Sequence, residues 1–249
     1  MTSPDVWANL RRLTPARVAL GRAGNSLPTT EVLNLALAHA RARDAVHSTF
    51  DPGAIEKSCR ALGFDTVHVR SAARDRGIYL RRPDLGRRLN HDDAAALRAR
   101  DGQFDLAIIV ADGLAGSGVQ SHAPDMLAAL KPHLTTFSIA PVVIAEQARV
   151  ALGDEIGALL HARMSIVLIG ERPGLSSPES LGIYLTFAPE VGRTDAERNC
   201  ISNIRFGGLD YETAARRLAW LMQGSLRLGR SGVDLKDDSG PLPVLLPAR

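Results

Sequence analysis

The feature of this sequence that most constrains its fold is an alternation of short β-branched runs with helical stretches, which starts after Ala61. A short apolar run bounded by turn residues is typical of a strand buried on both faces. A helix between two such runs provides the crossover that parallel strands need. The predicted strands lie at residues 66–69, 106–110, 142–144, 165–169 and 184–187, and the predicted helices at 92–99, 119–130 and 150–162. The pattern predicts an α/β protein whose sheet is mainly parallel and doubly wound.

The N-terminal part of the chain predicts helices that precede this sheet. Residues 4–13 and 30–47 have helical patterns, and a segment with two prolines and two glycines separates them. Thr29 or Thr30 is the expected N-cap of the second helix. Leu33 and Leu37 form part of an apolar stripe on that helix, so the stripe needs a surface to pack against.

The last helix is the most clearly patterned element. Gly207 and Gly208 form a turn, and Asp210 is placed to cap the helix that follows. Its expected buried face, which should cover the sheet, consists of Ala214, Leu218, Leu221, Met222 and Ser225. The proline-containing segment 237–249 is predicted to be a loose tail.

Composition and charge exclude several classes of protein. Hydrophobic residues make up 45% and charged residues 23% of the 249 residues, which excludes disordered, collagen-like and disulfide-scaffold proteins. No apolar stretch approaches the ~18 residues of a membrane helix, and the first ten residues lack the core of a secretory signal. With only Cys59 and Cys200, we expect free thiols and a cytoplasmic location. The net charge of +3 is too small to predict nucleic-acid binding.

Polar residues follow the predicted strands at the positions where open parallel sheets bind ligands. The candidates are Arg70 and Ser71, Asp112 and Gly113, Glu146 and Gln147, and Gly170, Glu171 and Arg172. Loop positions are commonly polar, so no single one of these residues indicates a ligand site. Their shared location at one edge of the sheet is stronger evidence for such a site.

Other motifs do not define a known type of active site. Gly113, Gly116 and Gly118 are spaced G-x-x-G-x-G, which matches neither the dinucleotide fingerprint nor the P-loop, and favours a tight turn or close approach to a ligand. The seven histidines show no metal-binding spacing, and no G-x-S-x-G elbow occurs. A lone cysteine is most often buried and inert, but Cys200 lies in a polar run that favours a ligand-facing loop over a core strand.

An arginine-rich stretch is predicted to be a solvated loop or a salt-bridged interface and contains Arg74, Arg76, Arg81, Arg82, Arg87 and Arg88.

Several segments together resemble the small (light) subunit of ethanolamine ammonia-lyase. The two most specific are IGERPGL at residues 169–175 and RNCISNIR at residues 198–205. Further similar segments lie at residues 14–24, 42–47, 79–89, 106–113 and 151–157. The similarity extends from about Thr14 to Lys236.

The resemblance implies an adenosylcobalamin-dependent lyase that converts ethanolamine to acetaldehyde and ammonia by radical chemistry. In that family a TIM-barrel large subunit holds the substrate, and six copies of each subunit assemble. The small subunit is Rossmann-like and closes over cobalamin at the subunit interface. Its cofactor-contacting positions correspond here to Val150, Glu171 and Cys200, and no catalytic group and no metal ligand is expected in this chain.

The resemblance also gives an expected division of the chain. Residues 1–55 form a small helical N-terminal part that docks on the large subunit. Residues 56–236 form the cobalamin-facing domain, and residues 237–249 form the tail. The implied location is cytoplasmic, with a bacterial microcompartment as one setting.

Two other classes stay open on the residues alone. A stand-alone nucleotide-binding α/β enzyme or regulator fits the fold but not the glycine spacing. A structural interaction module would be distinguished by failure to acquire cobalamin beside its partner.

Overall fold

The computed structural model describes residues 7–240, which form a six-stranded mixed sheet with helices on both faces. The strands are β1 (Thr66–Arg70), β2 (Phe104–Ala111), β3 (Val142–Glu146), β4 (Ala162–Gly170), β5 (Leu181–Phe187) and β6 (Arg198–Ile204). The helices are α1 (Ala8–Leu13), α2 (Thr29–His47), α3 (Pro52–Ala61), α4 (Arg76–Arg81), α5 (His91–Arg98), α6 (Gly116–Leu130), α7 (Leu152–Leu159) and α8 (Tyr211–Leu228). Single 3₁₀ turns occur at Leu85–Arg87, Lys131–Leu134 and Asp195–Glu197.

The strands lie in the order β1-β3-β2-β4-β5-β6. The first four in this order are mutually parallel, as predicted, whereas β5 and β6 are antiparallel to their neighbours. The expectation that residues 184–187 form a parallel strand was therefore wrong. Only residues 171–180 separate β4 from β5, which is too short for the crossover that a parallel pair needs. The expectation that residues 66–69 form a strand buried on both faces was wrong, because β1 lies at an edge of the sheet and buries only Val69.

Two apolar cores lie on opposite faces of the sheet. Ile108 and Val110 of β2 point to the core beneath α3, α6 and α8, and Ile109 and Ala111 point to the core beneath α5 and α7. Because side chains alternate along a strand, β2 needs apolar residues at every position to contribute to both cores. This requirement explains the continuous apolar run that the sequence shows.

The helix boundaries follow local capping chemistry. The Asp210 carboxylate accepts a hydrogen bond from Thr213 N at the start of α8, which confirms it as the cap, and the predicted face of α8 is buried. The predicted cap of α2 was wrong, because Thr29 is already helical and Pro28 precedes it without a side-chain cap. Helix α7 ends earlier than predicted, since β4 begins at Ala162.

Residues 7–47 contribute little to either core, and we call them the N-terminal arm. No residue of α1 is buried, and α2 buries only Ala45. Leu33 and Leu37 of the predicted stripe are 63% and 49% exposed. The C-terminal end of the arm is fixed by Arg76 Nε, which donates a hydrogen bond to Val46 O over 2.8 Å. None of the helices in residues 7–240 is both long and apolar enough to cross a membrane.

Candidate functional site

A cavity of about 460 Å³ opens at the carboxyl edge of the sheet, between β2 and β4. After β2 the chain continues to β3 on one side of the β2–β4 pair, and after β4 it continues to β5 on the opposite side of that pair. Such a reversal leaves a crevice in which ligands of open α/β sheets bind. We call this cavity the edge cavity; it is lined by Tyr79, Gly113, Leu114, Arg149, Val150, Ile169, Gly170, Glu171, Arg172 and Tyr184.

Two glycines let the backbone form the floor of the edge cavity. Gly113 has a φ of 59°, and a Cβ atom there would lie 2.2 Å from Gly170 O. A Cβ atom on Gly170 would lie 2.1 Å from Ala115 O. The sequence correctly indicated a tight turn, but these glycines allow close packing of protein backbone, and Gly118 likewise approaches Ser180.

The Glu171 side chain is held in place on one side of its carboxylate. Its Oε2 atom accepts hydrogen bonds from Ser180 Oγ over 2.6 Å and from Asn203 N over 3.1 Å. These contacts join the end of β4 to the start of β5 and the end of β6. Its Oε1 atom forms no hydrogen bond within residues 7–240. Glu171 can therefore offer one fixed acceptor to a ligand.

Cys200 lies on β6 opposite Tyr184 of β5, and its thiol is exposed. The prediction that Cys200 lies in a loop was wrong: β6 is one of the two edge strands, so polar and apolar residues share it. Partial desolvation raises the pKa of the Cys200 thiol, and the charge of Glu171 raises it further. Cys200 does not itself line the edge cavity, but Tyr184 does.

Asp112 forms a buried anchor beneath the cavity and is 2% exposed. Its Oδ1 atom accepts a hydrogen bond from Ala148 N over 2.9 Å, and its Oδ2 atom lies 3.3 Å from Arg76 Nη1. Burial raises the pKa of the Asp112 carboxyl to about 6, although the hydrogen bond from Ala148 and the charge of Arg76 oppose the shift. Arg76 also donates to the carbonyl oxygens of Gly113 and Leu114 over 2.7 and 2.9 Å, and thereby fixes the loop that lines the cavity.

Tyr79 and Arg149 form the opposite wall. The Tyr79 ring is buried between two guanidinium groups, with Arg149 Cζ 4.4 Å and Arg76 Cζ 4.8 Å from the ring centroid. Its hydroxyl donates to Ala148 O over 3.0 Å. Burial is the main cause of the raised pKa of Tyr79.

The predicted edge residues divide into two groups. Gly113, Gly170, Glu171 and Arg172 line the cavity. Arg70 and Glu146 instead pair with each other over 2.9 Å at the β1 side of the sheet, where Glu146 also contacts His68.

Sequence reasoning missed Tyr79, Arg149 and Tyr184 as cavity residues. Arg149 directly precedes Val150, so its position after a predicted strand was the available signal, whereas nothing in the sequence marked Tyr79 or Tyr184. In the arginine-rich stretch, Arg76 is an internal anchor and not a solvated residue.

The residues of the edge cavity can bind a ligand but do not form a complete catalytic apparatus. Val150, Leu114 and Ile169 provide apolar contact, and Glu171 and Arg149 provide polar groups. Within residues 7–240, no cluster of three histidine, cysteine or acidic side chains is arranged to hold a metal ion. The fold and the site thus define an α/β protein with a ligand-sized cavity at the carboxyl edge of its sheet.

Comparison with known proteins identifies the family. The family model for the ethanolamine ammonia-lyase light chain (EutC) matches residues 4–236. The ethanolamine ammonia-lyase small subunit of Azotobacter vinelandii is 56% identical over 239 residues, which is 94% of this chain and 88% of that protein. The small subunits from Pseudomonas aeruginosa and Xanthomonas campestris are each 55% identical over 244 and 242 residues, covering 96% and 94% of this chain and 89% of each relative. The chain belongs to the ethanolamine ammonia-lyase light chain family, whose members are subunits of a lyase.

Proposed function

We propose that this chain is the small subunit of an adenosylcobalamin-dependent ethanolamine ammonia-lyase, which converts ethanolamine to acetaldehyde and ammonia. Its relatives carry the name of that subunit at about 55% identity over most of their length. A small subunit implies a large one, and we propose a TIM-barrel partner that holds the substrate. The winding of the sheet and its carboxyl-edge cavity support a Rossmann-like classification of the main domain.

The observation that carries the proposal is an open cavity whose residues form one wall of a binding site. Val150 and Glu171 lie on this wall, and Cys200 lies beside Tyr184 at its border. A second protein surface would complete the site. The two subunits would then enclose the cofactor between them and exclude water.

The residues of this wall fit a corrinoid. A corrin ring is broad and flat and carries amide side chains, so it needs an apolar surface with polar groups around it. Leu114, Val150 and Ile169 supply the apolar surface, and Glu171 Oε1 is a fixed acceptor for an amide N–H. When bound, adenosylcobalamin supplies the radical chemistry. The residues of this chain bind it, orient it and limit the access of water.

We assign a different contact to each of the three proposed cofactor residues. Val150 makes van der Waals contact with the macrocycle, and Glu171 accepts a hydrogen bond from a peripheral amide. Cys200 contacts the edge of the cofactor beside Tyr184. Glu171 is the best supported of these residues, because Ser180 and Asn203 already hold its other carboxylate oxygen.

We also propose how the chain is divided. Residues 1–55 dock on the large subunit, residues 56–236 face the cobalamin, and the tail 237–249 lies mostly outside the described residues. Six copies of each subunit would make a heterododecamer in the cytoplasm or in a bacterial microcompartment. The native mass of the purified complex tests this stoichiometry.

The experiment that tests the function is co-purification with the large subunit, followed by measurement of bound cobalamin from its absorbance. We expect the complex to bind adenosylcobalamin and release acetaldehyde from ethanolamine, and the isolated chain to have no such activity. Glu171→Gln and Cys200→Ala should each weaken cobalamin binding roughly five-fold, the loss of about 1 kcal/mol for an ordinary contact.

The two cysteines provide an internal control. Cys59 is fully buried on the inner face of α3, and burial raises the pKa of its thiol to about 11, so Cys59→Ala should leave cobalamin binding unchanged. In the native complex a thiol reagent should modify Cys200 and not Cys59, and bound cobalamin should protect Cys200. Equal labelling of Cys200 with and without cobalamin, together with unchanged affinity of both variants, would place the cofactor on another face.

A further inference from the structure

A second cavity, of about 620 Å³, adjoins the edge cavity and shares Arg149 and Val150 with it. It lies between the chain after α4, the segment after β3 and the loop that precedes β6. We call it the arginine cavity, because five of its lining residues are Arg87, Arg88, Arg149, Arg193 and Arg198.

The positive charge of the arginine cavity is only partly neutralised. Arg198 forms a two-pronged ion pair with Asp154, at 2.5 and 2.7 Å, and Arg193 lies 2.6 Å from Glu197. Within residues 7–240, Arg87, Arg88 and Arg149 form no ion pair. Three guanidinium groups therefore face or border this cavity without a carboxylate partner.

Arg149 combines a fixed position with unused hydrogen-bonding capacity. Its guanidinium group stacks on the buried Tyr79 ring at 4.4 Å, and its backbone N–H donates to Gly86 O over 2.8 Å. Its Nε atom is buried without a hydrogen-bond partner, and its Nη2 atom makes only a 3.5 Å contact with Tyr79 O. A buried polar atom without a partner is uncommon in a folded protein. With Nε unpaired and Nη2 only weakly bonded, the guanidinium group keeps donors for a ligand at the wall that the two cavities share.

The chemistry that fits this arrangement is a phosphoryl oxyanion. Arginine presents several N–H donors in a plane and binds phosphate oxygens at two points, and three such groups provide the charge for it. Free phosphate and a phosphodiester within a larger ligand share this chemistry. The wall that the two cavities share favours a phosphodiester within a larger ligand, because a ligand that lies over Val150 extends directly past Arg149.

We infer that Arg149, assisted by Arg87 and Arg88, binds the phosphodiester group in the nucleotide loop of cobalamin. This inference rests on the proposed function. The amide side chains of cobalamin are neutral, so the phosphodiester is the group that the unpaired arginines would select. Glu171 and Arg149 then hold two chemically different parts of one ligand, with Val150 between them.

The test compares two cofactor forms on the complex of small and large subunits. Adenosylcobalamin contains the phosphodiester, and adenosylcobinamide lacks it. Arg149→Met keeps an unbranched side chain over Tyr79 and removes the charge. We expect it to weaken adenosylcobalamin binding about ten-fold, as expected for a lost charged hydrogen bond, and to leave adenosylcobinamide binding unchanged. Equilibrium dialysis with corrin absorbance measures both affinities.

Further variants separate charge from folding. Arg149→Lys should retain most of the adenosylcobalamin affinity. Arg87 and Arg88 are exposed, so the double variant Arg87→Gln/Arg88→Gln should fold normally and show the same selective loss to a smaller extent. Arg60→Gln is the matched control, because Arg60 is an exposed arginine that pairs with Glu56 and lines neither cavity. It should change neither affinity.

Each contrary outcome has a distinct meaning. Equal weakening of both corrinoids by Arg149→Met, or no weakening of either, would overturn this inference and leave the proposed function standing. Competition by inorganic phosphate with no difference between the two corrinoids would identify free phosphate as the occupant and also overturn it. A wild-type complex that binds neither corrinoid would overturn the proposed function and this inference together.

Discussion

The N-terminal arm and the α/β body differ in what determines their structure. In the body, β4 is buried along almost its whole length, and helices cover both faces of the sheet. In the arm, α2 has 19 residues and buries one of them. Burial of apolar surface is the main stabilising contribution to folding, so the body contains its own stabilising contacts and the arm does not. The arm is therefore the region that is held least by contacts within the described residues.

The largest effect is expected from the buried ion pair in the body. Asp154 and Arg198 have side chains that are each 2% exposed, and Arg198 also donates to Thr186 Oγ1 over 3.0 Å. Asp154→Ala leaves a buried guanidinium without its carboxylate and should lower the free energy of unfolding by about 3–5 kcal/mol. Urea denaturation measures the change.

A double variant shows whether the uncompensated charge is the cause. Asp154→Leu combined with Arg198→Met replaces both charges by apolar groups, so it should be less destabilised than Asp154→Ala alone. If the double variant is as unstable as Asp154→Ala, then lost packing and not the unpaired charge causes the decrease in the free energy of unfolding.

The same substitution in both regions gives a direct comparison. Gly24 in the arm and Gly113 in the body have similar backbone conformations, with φ values of 63° and 59°. An added Cβ atom at Gly24 meets nothing within 4 Å, whereas at Gly113 it lies 2.2 Å from Gly170 O. Gly113→Ala should reduce stability by about 3 kcal/mol, and Gly24→Ala should change global unfolding by less than about 0.5 kcal/mol. Equal losses in thermal or urea unfolding would show that the arm and body unfold as one unit.

In the body, a pH dependence is expected from Asp112. The pKa of Asp112 is raised to about 6 from 3.8, so the folded protein binds this proton more tightly than the unfolded chain. Between pH 4 and 6 the contribution of Asp112 to stability therefore falls as the pH rises, by up to about 3 kcal/mol in total. Asp112→Asn should reduce this slope, measured by urea unfolding at several pH values. An unchanged slope would assign the proton uptake to other groups.

The smallest effect on the free chain is expected at the exposed stripe of α2. The double variant Leu33→Ser/Leu37→Ser removes exposed apolar groups, so the unfolding free energy of the isolated chain should change by less than about 0.5 kcal/mol. The same variant should weaken association with the large subunit, measured by co-purification and native mass. Wild-type assembly of this variant would assign large-subunit docking to another surface. As a control, Leu228→Ser changes an exposed leucine at the end of α8 and should leave assembly intact.

The elements that could be predicted from the sequence are those with a strong local signal. The four parallel strands and α8 have apolar periodicity and, for α8, a clear cap at Asp210. The edge strand β6 was missed because residues 198–204 are mostly polar, and an edge strand is specified by pairing with β5 more than by its own pattern. The antiparallel direction of β5 depends on the short loop at residues 171–180, and the apolar pattern of a strand does not indicate the direction in which it pairs.

The candidate site was predictable in part for the same reason. Glu171 directly follows a strand, so its place at the sheet edge could be inferred. Tyr79 and Arg149 are brought together by contacts between segments far apart in the sequence, such as the hydrogen bond from the Tyr79 hydroxyl to Ala148 O, and such tertiary contacts leave no local signal.

The side chain of Arg76 is a shared component of the arm and the edge cavity. It donates hydrogen bonds to Val46 O at the end of α2 and to Gly113 O and Leu114 O beside the cavity. Under the proposed docking of the arm and binding of cobalamin, any difference in its geometry between the free and the assembled chain contributes a coupling free energy between these two events. Because such coupling is reciprocal, the factor by which docking changes cofactor affinity equals the factor by which the cofactor changes the affinity between the subunits.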